Sequence, residues 1–302
     1  MLRYRLITGP LLLILLLAVI MLDDYLDTLQ LEGTCRQLFL DREHPPRGLI
    51  VFLGMLAIAP LAAVELSRIF HASGITTRVW LTSLAAMLGL ILSYCMPVGT
   101  PAATANALLA TGLIVVFVAA LVTFSQHQNV QGVLAAAGAV VFAMVYLGLM
   151  LGFLLALRRE HSAWWIVGII VTTKSCDIAA YFTGTLIGKH KMIPWLSPGK
   201  TWEGLAGGIV FSVVVGFALA ALSRSLPHEQ DHVGMLLGAM CGAIFAVVGQ
   251  FGDLTVSLFK RGAGLKDSSR LLPGMGGVLD VLDSPLMVAP VAYWLLTVAA
   301  NA

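Results

Sequence analysis

Nine apolar stretches, each about as long as a membrane is thick, constrain this chain more than any other feature. The hydrocarbon core of a bilayer is about 30 Å thick, and a helix of roughly 20 apolar residues crosses it. Only 11% of the 302 residues are charged, whereas about 25% are charged in a typical soluble domain. The sequence therefore predicts an all-α, polytopic integral membrane protein with about nine transmembrane helices. We expect the spans at residues 6–22, 48–66, 79–96, 103–124, 132–157, 163–187, 204–223, 234–256 and 284–300.

The first predicted span has some features of a signal peptide. Arg3 and Arg5 precede its apolar run, as in the basic region of such a peptide. No cleavage motif of the small-x-small type follows before Asp23, however. We therefore predict that this segment is retained as a helix.

The chain is predicted to form one membrane domain over residues 1–302. No repeat of solenoid period and no long polar linker divides the sequence. Segment 97–106 is the nearest approach to a boundary, and it separates the N-terminal helices, residues 1–100, from a helical portion, residues 101–302, that contains the polar groups. Residues 23–47 are too polar to span a bilayer and are predicted to form a short amphipathic piece.

Short basic loops set the predicted orientation, because Lys and Arg near the ends of spans stay on the cytoplasmic side. With the N-terminus inside, nine spans put loops 188–203 and 257–283 in the cytoplasm. Arg158, Arg159 and segment 23–47 then fall on the opposite side. The basic residues expected on the cytoplasmic side are Arg68, Arg78, Lys189, Lys191, Lys200, Lys260, Arg261, Lys266 and Arg270.

Charge and cysteine spacing exclude several classes of function. The net charge of +2 comes without a basic arm or alternating aromatic and basic residues, so no nucleic-acid partner is expected. Cys35, Cys95, Cys176 and Cys241 are far apart and lack the spacing of a zinc site. We expect buried thiols rather than disulfides.

The densest group of charges begins at the end of the eighth predicted span. Asp253 ends an apolar run, and Asp280 and Asp283 are three residues apart, so both carboxylates can share one face of a helix. Mg²⁺ bound to a phosphate needs such groups, since it takes one or two carboxylates together with phosphate oxygens. The neighbouring cations are Lys260, Arg261, Lys266 and Arg270.

Three glycines follow Pro273 in the same segment. Gly274, Gly276 and Gly277 allow the backbone to approach a ligand without interference from a Cβ atom. The alternative is a basic cytoplasmic loop whose aspartates only balance its lysines and arginines. Composition alone leaves both interpretations open.

A second polar group begins inside the sixth predicted span. Lys174, Asp177 and Tyr181 have the spacing that puts three side chains on one helix face. An ionisable pair in such an apolar span indicates a functional site. A buried Lys–Asp pair can also be purely structural, so spacing alone does not decide between the two.

The turn after that span has features of a phosphate-binding site. Ser197, Lys200 and Thr201 supply two hydroxyls and an ammonium group just before a helix predicted to start near residue 201. Backbone N–H groups at such a helix start can also bind an anion. Trp195 stands where a Walker A loop needs its first glycine, so the turn is not a P-loop.

Taken together, the two polar groups resemble the signature of the phosphatidate cytidylyltransferases, also called CDP-diacylglycerol synthases. The matching residues occur in the correct order over residues 177–284. The C-terminal signature is matched by Ser257, Lys260, Arg261, Lys266, Asp267, Ser269 or its neighbour Ser268, Pro273, Gly274, Gly276, Gly277, Asp280 and Asp283. The upstream pattern is matched by Asp177, Ala180, Tyr181, Phe182, Gly188, Lys189, Ser197, Pro198, Lys200, Thr201, Trp202, Glu203 and Gly204.

Two positions depart from the family signature. Met275 stands where the family usually has His, and Val281 stands where it has Arg after the first Asp. The family roles of these two positions therefore do not carry over to this chain. The carboxylates of the signature are intact.

The resemblance implies a nucleotidyltransferase that moves the cytidylyl group of CTP to phosphatidate, giving CDP-diacylglycerol and pyrophosphate for phospholipid synthesis. It implies Mg²⁺, with K⁺ as a further candidate beside it, held by Asp253, Asp280 and Asp283. The implied catalytic residues are Asp253, Lys260, Arg261, Lys266, Asp267 and Asp280. The implied substrate-binding residues are Ser197, Lys200, Thr201, Ser257, Gly274, Gly276, Gly277, Asp177 and Tyr181.

The same resemblance sets the expected partners and location. CTP, phosphatidate and the lipid bilayer are the expected partners, and the sequence leaves a homodimer open. The expected location is a bacterial inner membrane, with the active site on the cytoplasmic side where CTP is found.

Two other functions are consistent with parts of the sequence. A CTP-dependent polyprenol or phytol kinase would share the membrane architecture but would transfer a γ-phosphoryl group to an alcohol. An ion-coupled transporter would use Lys174, Asp177 and Glu65 as a charge relay, but the sequence has no paired broken helices in two corresponding halves. The length of the matching signature favours the cytidylyltransferase.

Overall fold

The computed structural model describes residues 2–31, 43–97, 99–125, 131–269 and 271–300, and these residues form nine long helices. Eight of the nine are long and apolar enough to cross a membrane, and the third, with 17 residues, is shorter. The predicted all-α integral membrane fold is thereby confirmed. The helices are α1 (Leu2–Asp27), α2 (Leu49–Ala72), α3 (Val79–Cys95), α4 (Ala102–Ser125), α5 (Val133–Glu160), α6 (Trp164–Leu186), α7 (Trp202–Ser223), α8 (Met235–Gly262) and α9 (Val278–Ala300).

Helix α5 changes its hydrogen-bonding pattern halfway along. Its α-helical segments, Val133–Ala143 and Met150–Glu160, are joined by a π-helical segment, Met144–Leu149. Gly148 in this segment packs against Gly89 of α3, and a Cβ atom on either glycine would clash with the other helix. The two glycines therefore let α3 and α5 touch backbone to backbone.

Short non-helical elements connect the later helices. Strands β1 (Lys191–Ile193) and β2 (Ser197–Thr201) form an antiparallel hairpin between α6 and α7. Thr201 is the N-cap of α7, since its hydroxyl accepts a hydrogen bond from the N–H group of Gly204 at 3.1 Å. The predicted helix start near residue 201 is confirmed. A 3₁₀ turn, Glu229–Asp231, lies between α7 and α8.

The loop between α8 and α9 is shorter than predicted. The sequence predicts a loop at 257–283, whereas α8 and α9 enclose only residues 263–277. Lys260 and Arg261 lie in the last turn of α8, where the helix dipole favours cations, and Asp280 lies in the first turn of α9, where it favours an anion. The boundaries were wrong because charges that stabilise helix ends resemble the charges of a loop.

Helices α7, α8 and α9 pack closely through small residues. Gly242 of α8 lies against the backbone of Ser212 in α7, and Gly252 of α8 lies against the backbone of Asp283 in α9. A side chain at either glycine would collide with the neighbouring backbone. This packing brings Asp253 of α8 close to Asp283 of α9.

Contacts between distant segments show that the two predicted cytoplasmic loops lie at the same end of the bundle. The hydroxyl of Thr8, near the start of α1, donates a hydrogen bond to the carbonyl of Pro273 in the α8–α9 loop at 2.9 Å. The ammonium of Lys200 in β2 lies 2.7 Å from the carboxylate of Asp253 in α8. Nine alternating helices with the start of α1 at this end agree with the predicted arrangement of the loops relative to one another.

At the opposite end, a buried arginine joins three helices. Arg158 of α5 pairs with the carboxylates of Asp23 and Asp27 in α1, and its side chain is only 1% exposed. Asp23 also accepts hydrogen bonds from the N–H groups of Ile50 and Val51 in α2, at 2.8 and 3.2 Å. Arg158, which the sequence predicts on the less basic side of the membrane, is therefore a buried residue that stabilises the fold.

Two of the three described cysteines are buried, as predicted. Cys176 and Cys241 lie in the core, but Cys95 is exposed at the end of α3, so the prediction is wrong for that residue. Cys35 lies outside the described residues. Part of the predicted amphipathic piece at 23–47 also lies outside them, and its first residues belong to α1.

Replacing Arg158 should destabilise the fold more than replacing its neighbour Arg159, which makes no ion pair with the described residues. Arg158→Met leaves Asp23 without its counter-charge, and removing one partner of a buried pair costs about 3–5 kcal/mol. We expect a lower thermal unfolding midpoint in detergent for Arg158→Met and an unchanged midpoint for Arg159→Met. Equal midpoints for the two variants would contradict this role.

Candidate active site

Three aspartates and two lysines meet at the end of the bundle that carries the β-hairpin. Asp177 of α6, Asp253 of α8 and Asp283 of α9 interact electrostatically with one another. Lys174 lies 3.3 Å from the carboxylate of Asp177 and 3.3 Å from that of Asp283. Lys200 of β2 lies 2.7 Å from the carboxylate of Asp253. We call these five residues the acidic cluster.

The carboxylates of the acidic cluster differ in their access to solvent. The side chain of Asp283 is 8% exposed, whereas those of Asp177 and Asp253 are 34% and 35% exposed. Lys174 also lies within 3.5 Å of the hydroxyl of Ser284 as a hydrogen-bond donor. An ion that enters the cluster would therefore meet two accessible carboxylates, with a third behind them.

Asp280 forms a separate ion pair, although it precedes Asp283 by only three residues. Its carboxylate lies 2.6 Å from the ammonium of Lys260 in α8. It also accepts hydrogen bonds from the N–H groups of Gly277 and Ser268, at 2.9 and 3.4 Å, and lies 2.9 Å from the Ser268 hydroxyl. The structure therefore places Asp280 beside Lys260 rather than in the acidic cluster.

The glycines of the α8–α9 loop make room for the protein's own carboxylates. A Cβ atom on Gly276 would collide with the carboxylate of Asp280, and one on Gly277 would collide with Ser268 and Glu65. Gly276 also has a φ angle of +94°, which favours glycine. The sequence predicts that these glycines allow the approach of a ligand, whereas the close contacts in the structure are made by side chains of the same chain.

Glu65 of α2 holds the beginning of α9. Its side chain is 2% exposed, and it accepts hydrogen bonds from the N–H groups of Val278 and Leu279, both at 2.9 Å. The hydroxyls of Ser268 and Ser269 donate to the same carboxylate at 2.9 and 2.6 Å. From the sequence, Glu65 is named only as part of a possible transporter relay, and this role is missed. The signal that could have drawn attention to Glu65 is its position as an acidic residue within an apolar helix.

A cavity of about 470 Å³ opens beside the same loop, lined by Arg68, Lys266, Asp267 and Ser269. Lys266 and Asp267 are predicted site residues, whereas Arg68 is predicted only as a basic residue of the cytoplasmic side. Arg68 lies one turn after Glu65 on α2, so the hydrogen bonds of Glu65 to the loop also hold Arg68 near Lys266. Both cations are exposed to solvent.

The β-hairpin supplies Lys200 to the acidic cluster. Thr201, a predicted phosphate ligand, is buried and uses its hydroxyl to cap α7. Ser197 is half-buried at the start of β2. The imidazole of His190 lies 2.6 Å from the carboxylate of Glu203, which ties the hairpin to the first turn of α7.

Of three further predicted residues, one contacts the acidic cluster and two are exposed. The hydroxyl of Ser257 donates a hydrogen bond to the carboxylate of Asp253 at 3.4 Å. Arg261 is exposed on the last turn of α8. Tyr181 is largely exposed and packs edge to face against Phe182.

The two positions that depart from the family signature lie on either side of the start of α9. Met275 is half-buried in a tight turn, where its N–H group donates a hydrogen bond to the carbonyl of Leu272 at 3.1 Å. Val281 is half-buried in the first turns of α9. Gly274 in the same turn has a φ angle of +80°, and Arg270 lies outside the described residues.

The acidic cluster has the donor chemistry that Mg²⁺ requires. This ion takes hard oxygen ligands and binds through one or two carboxylates while it keeps water and substrate oxygens. Among the described residues, no three His, Cys, Asp or Glu side chains converge into a complete metal site. One or two of these carboxylates, such as those of Asp253 and Asp283, have the donor chemistry for Mg²⁺, and phosphate oxygens of a substrate would have to supply further ligands.

Comparison with known proteins gives one family and several relatives. Residues 45–299 match the sequence model of the cytidylyltransferase family. The chain is 38% identical to the phosphatidate cytidylyltransferase of Bacillus subtilis over 161 residues, 53% of this chain and 58% of that protein. It is 40% identical to that of Pseudomonas aeruginosa over 134 residues, 44% and 48% of the two chains. It is 37% identical to that of Haemophilus influenzae over 131 residues, 43% and 44%.

The matched segments thus span about half the length of these relatives. The family match itself is longer, and it includes α2 to α8, nearly all of α9 and every residue of the acidic cluster.

A methyl group at residue 277 should disrupt the α8–α9 loop, because it would overlap Ser268 and Glu65. Extra volume in such a packed position costs about 1–3 kcal/mol, so Gly277→Ala should lower the thermal unfolding midpoint. Gly262→Ala is the matched control, because its Cβ atom would enter open space just before the same loop. Equal decreases in the two variants would contradict the packing described above.

Proposed function

Because the chain belongs to the cytidylyltransferase family, we propose that it transfers the cytidylyl group of CTP to phosphatidate, giving CDP-diacylglycerol and pyrophosphate. The observation that carries this proposal is the acidic cluster, in which Asp177, Asp253 and Asp283 meet Lys174 and Lys200. The cluster lies among membrane-spanning helices at the end that carries the basic loops. A site at that position suits a reaction between a membrane lipid and a water-soluble nucleotide.

The proposed reaction needs little proton transfer. The phosphate of phosphatidate is a monoester with a second pKa of about 6, so it is largely dianionic at pH 7. One of its oxygens attacks the α-phosphorus of CTP, and the bond from that phosphorus to the bridging oxygen breaks as pyrophosphate leaves. Catalysis then depends on positioning two anions and neutralising their charge.

Lysines around the cluster would provide that neutralisation. Lys200 and Lys260 lie 2.7 and 2.6 Å from the carboxylates of Asp253 and Asp280, and each can exchange its carboxylate for a phosphate oxygen. Lys266 is exposed beside Asp267 in the adjacent cavity. Further residues proposed to contact the substrates are Ser197, Ser257, Arg261 and Gly274, whereas Thr201, Gly276 and Gly277 are taken up by contacts within the protein.

Mg²⁺ is the proposed cation, with Asp253 and Asp283 as its ligands and Asp177 beside them. When bound, it would neutralise charge on the phosphate oxygens and make the α-phosphorus easier to attack. Asp280 already pairs with Lys260 and accepts two further hydrogen bonds. Its proposed role is therefore to orient Lys260, and it would bind metal only by giving up these partners.

The contacts of Glu65 favour an enzyme over an ion-coupled transporter. A relay would need Glu65 to exchange ions with Lys174 and Asp177. Glu65 instead accepts four hydrogen bonds from the α8–α9 loop and the start of α9. Lys174 pairs with Asp177 and Asp283.

The loop-bearing end of the bundle is proposed to face the cytoplasm of a bacterial cell, with the chain in the inner membrane. CTP is a cytosolic nucleotide, and basic loops are retained on that side. The relatives reported above are bacterial proteins. A homodimer stays a prediction.

Purified protein supplied with Mg²⁺, phosphatidate and CTP labelled in its α-phosphate should produce a labelled lipid. Asp253→Asn keeps the shape of the side chain and removes its charge, so turnover should fall at least about 100-fold. Glu229→Gln, at the opposite end of the bundle, is the control and should not change turnover. If CTP labelled in its γ-phosphate labels the lipid and α-labelled CTP does not, the protein is a kinase. Normal turnover by Asp253→Asn at saturating Mg²⁺ would exclude the proposed metal site.

The proposed orientation predicts which single cysteines react in intact spheroplasts of a cysteine-free variant. His190 and Asp267 are exposed in the two basic loops, and Glu160 is exposed at the other end. His190→Cys and Asp267→Cys should resist a membrane-impermeant thiol reagent until lysis, whereas Glu160→Cys should react before it. The reverse pattern would overturn the orientation without bearing on the reaction itself.

A further inference from the structure

We propose that Glu65 is a positioning residue of the active site, because it fixes the beginning of α9 against α2. Through α9 it sets the positions of Asp280 and Asp283, without touching the acidic cluster itself. The kinetic consequences of this inference rest on the proposed function. Its structural consequences rest on the geometry alone.

Four donors converge on the Glu65 carboxylate, two on each oxygen. Oε1 accepts from the N–H group of Val278 and the hydroxyl of Ser269, and Oε2 accepts from the N–H group of Leu279 and the hydroxyl of Ser268. The N–H groups at the start of a helix have no partners within that helix. An ionised carboxylate offers only acceptors and about four lone pairs, so it satisfies all four donors at once.

The charge of Glu65 adds to these hydrogen bonds. The start of a helix carries a partial positive charge, which a nearby anion stabilises, and the effect is larger where solvent is excluded. Glu65 is 2% exposed, and it reaches α9 from a helix more than 200 residues earlier in the chain. The interaction therefore stabilises one position of α9 relative to α2, in addition to stabilising α9 itself.

Ser268 connects this cap to the residues of the active site. Its hydroxyl lies 2.9 Å from the carboxylate of Glu65 and 2.9 Å from that of Asp280, which pairs with Lys260 at 2.6 Å. Asp283 lies about one turn further along α9, inside the acidic cluster. A shift at the start of α9 would therefore move Asp280 and Asp283 together and disturb the pair of Asp280 with Lys260.

Glu65→Gln is the sharpest variant, because it keeps the shape of the side chain and turns one acceptor oxygen into a donor group. Because each Glu65 oxygen accepts from two donors, the new amide NH₂ group would face two donors instead of accepting from them. A lost hydrogen bond to a charged group is worth about 1.5–3 kcal/mol, so kcat should fall about ten- to a hundredfold. The Michaelis constant for CTP should change less, because Lys200 is held by the hairpin. Glu65→Asp keeps the charge and should recover part of kcat.

Hydrogen–deuterium exchange of the full chain in detergent tests the geometry without any assay of activity. The amides of Val278 and Leu279 should exchange more than about tenfold faster in Glu65→Gln. The matched control is Ser67→Ala, which removes a buried hydroxyl from the same helix. Ser67 bonds to Thr82 of α3 at 2.6 Å and not to α9, so this variant should leave both the exchange and kcat unchanged.

The outcomes separate this inference from the proposed function. Faster exchange at the start of α9 together with a lower kcat supports the positioning role. Unchanged exchange in Glu65→Gln, or faster exchange spread over all helices, overturns it. If exchange is faster locally in Glu65→Gln but the unmodified protein does not convert CTP and phosphatidate, only the proposed function is contradicted. If Glu65→Gln does not fold, Ser269→Ala removes one donor and should give the same local effect at a smaller size.

Discussion

A charge buried among membrane helices must find a partner, and the whole structure depends on how this chain meets that requirement. An unpaired ion in a region of low dielectric constant costs several kcal/mol or more. Arg158 is therefore paired with Asp23, Asp283 with Lys174, and Glu65 with the first amides of α9. Each of these interactions joins helices that are far apart in sequence. The pairing of charges therefore contributes to the choice of neighbouring helices, together with the glycine contacts between α3 and α5 and among α7, α8 and α9.

The same requirement explains why lysines are already in place for chemistry on phosphates. Lys174, Lys200 and Lys260 each neutralise an aspartate that would otherwise be isolated between helices. These aspartates include the proposed ligands of a metal ion. Formally, the acidic cluster has three carboxylates against two ammonium groups, and a divalent cation would offset this excess of negative charge. The lysines could then pair with phosphate oxygens of the substrates.

The spans could be predicted from the sequence because hydropathy is a property of each segment by itself. The partners of the charged residues could not, because they depend on contacts between segments. A spacing of three residues indicates that Asp280 and Asp283 share a helix face, but their partners come from α8 and α6, and Lys174 lies 109 residues before Asp283. Glu65 is a harder case, since its partners follow more than 200 residues later and nothing in α2 indicates a cap for another helix. The family resemblance identified the polar residues of the loops and not this support.

The extent of the family match agrees with an active site that includes α2. If the signature between residues 177 and 284 formed the site alone, the N-terminal helices would serve only as membrane anchors. The match begins at residue 45, a few residues before α2, and continues to the end of the bundle. Helix α1 lies before it, although Asp23 takes part in a buried ion pair. Among the described residues, α1 makes one hydrogen bond to the α8–α9 loop, from Thr8, whereas α2 holds that loop and α9 through the four hydrogen bonds of Glu65, so the family match includes the helix with the stronger hold on the loop.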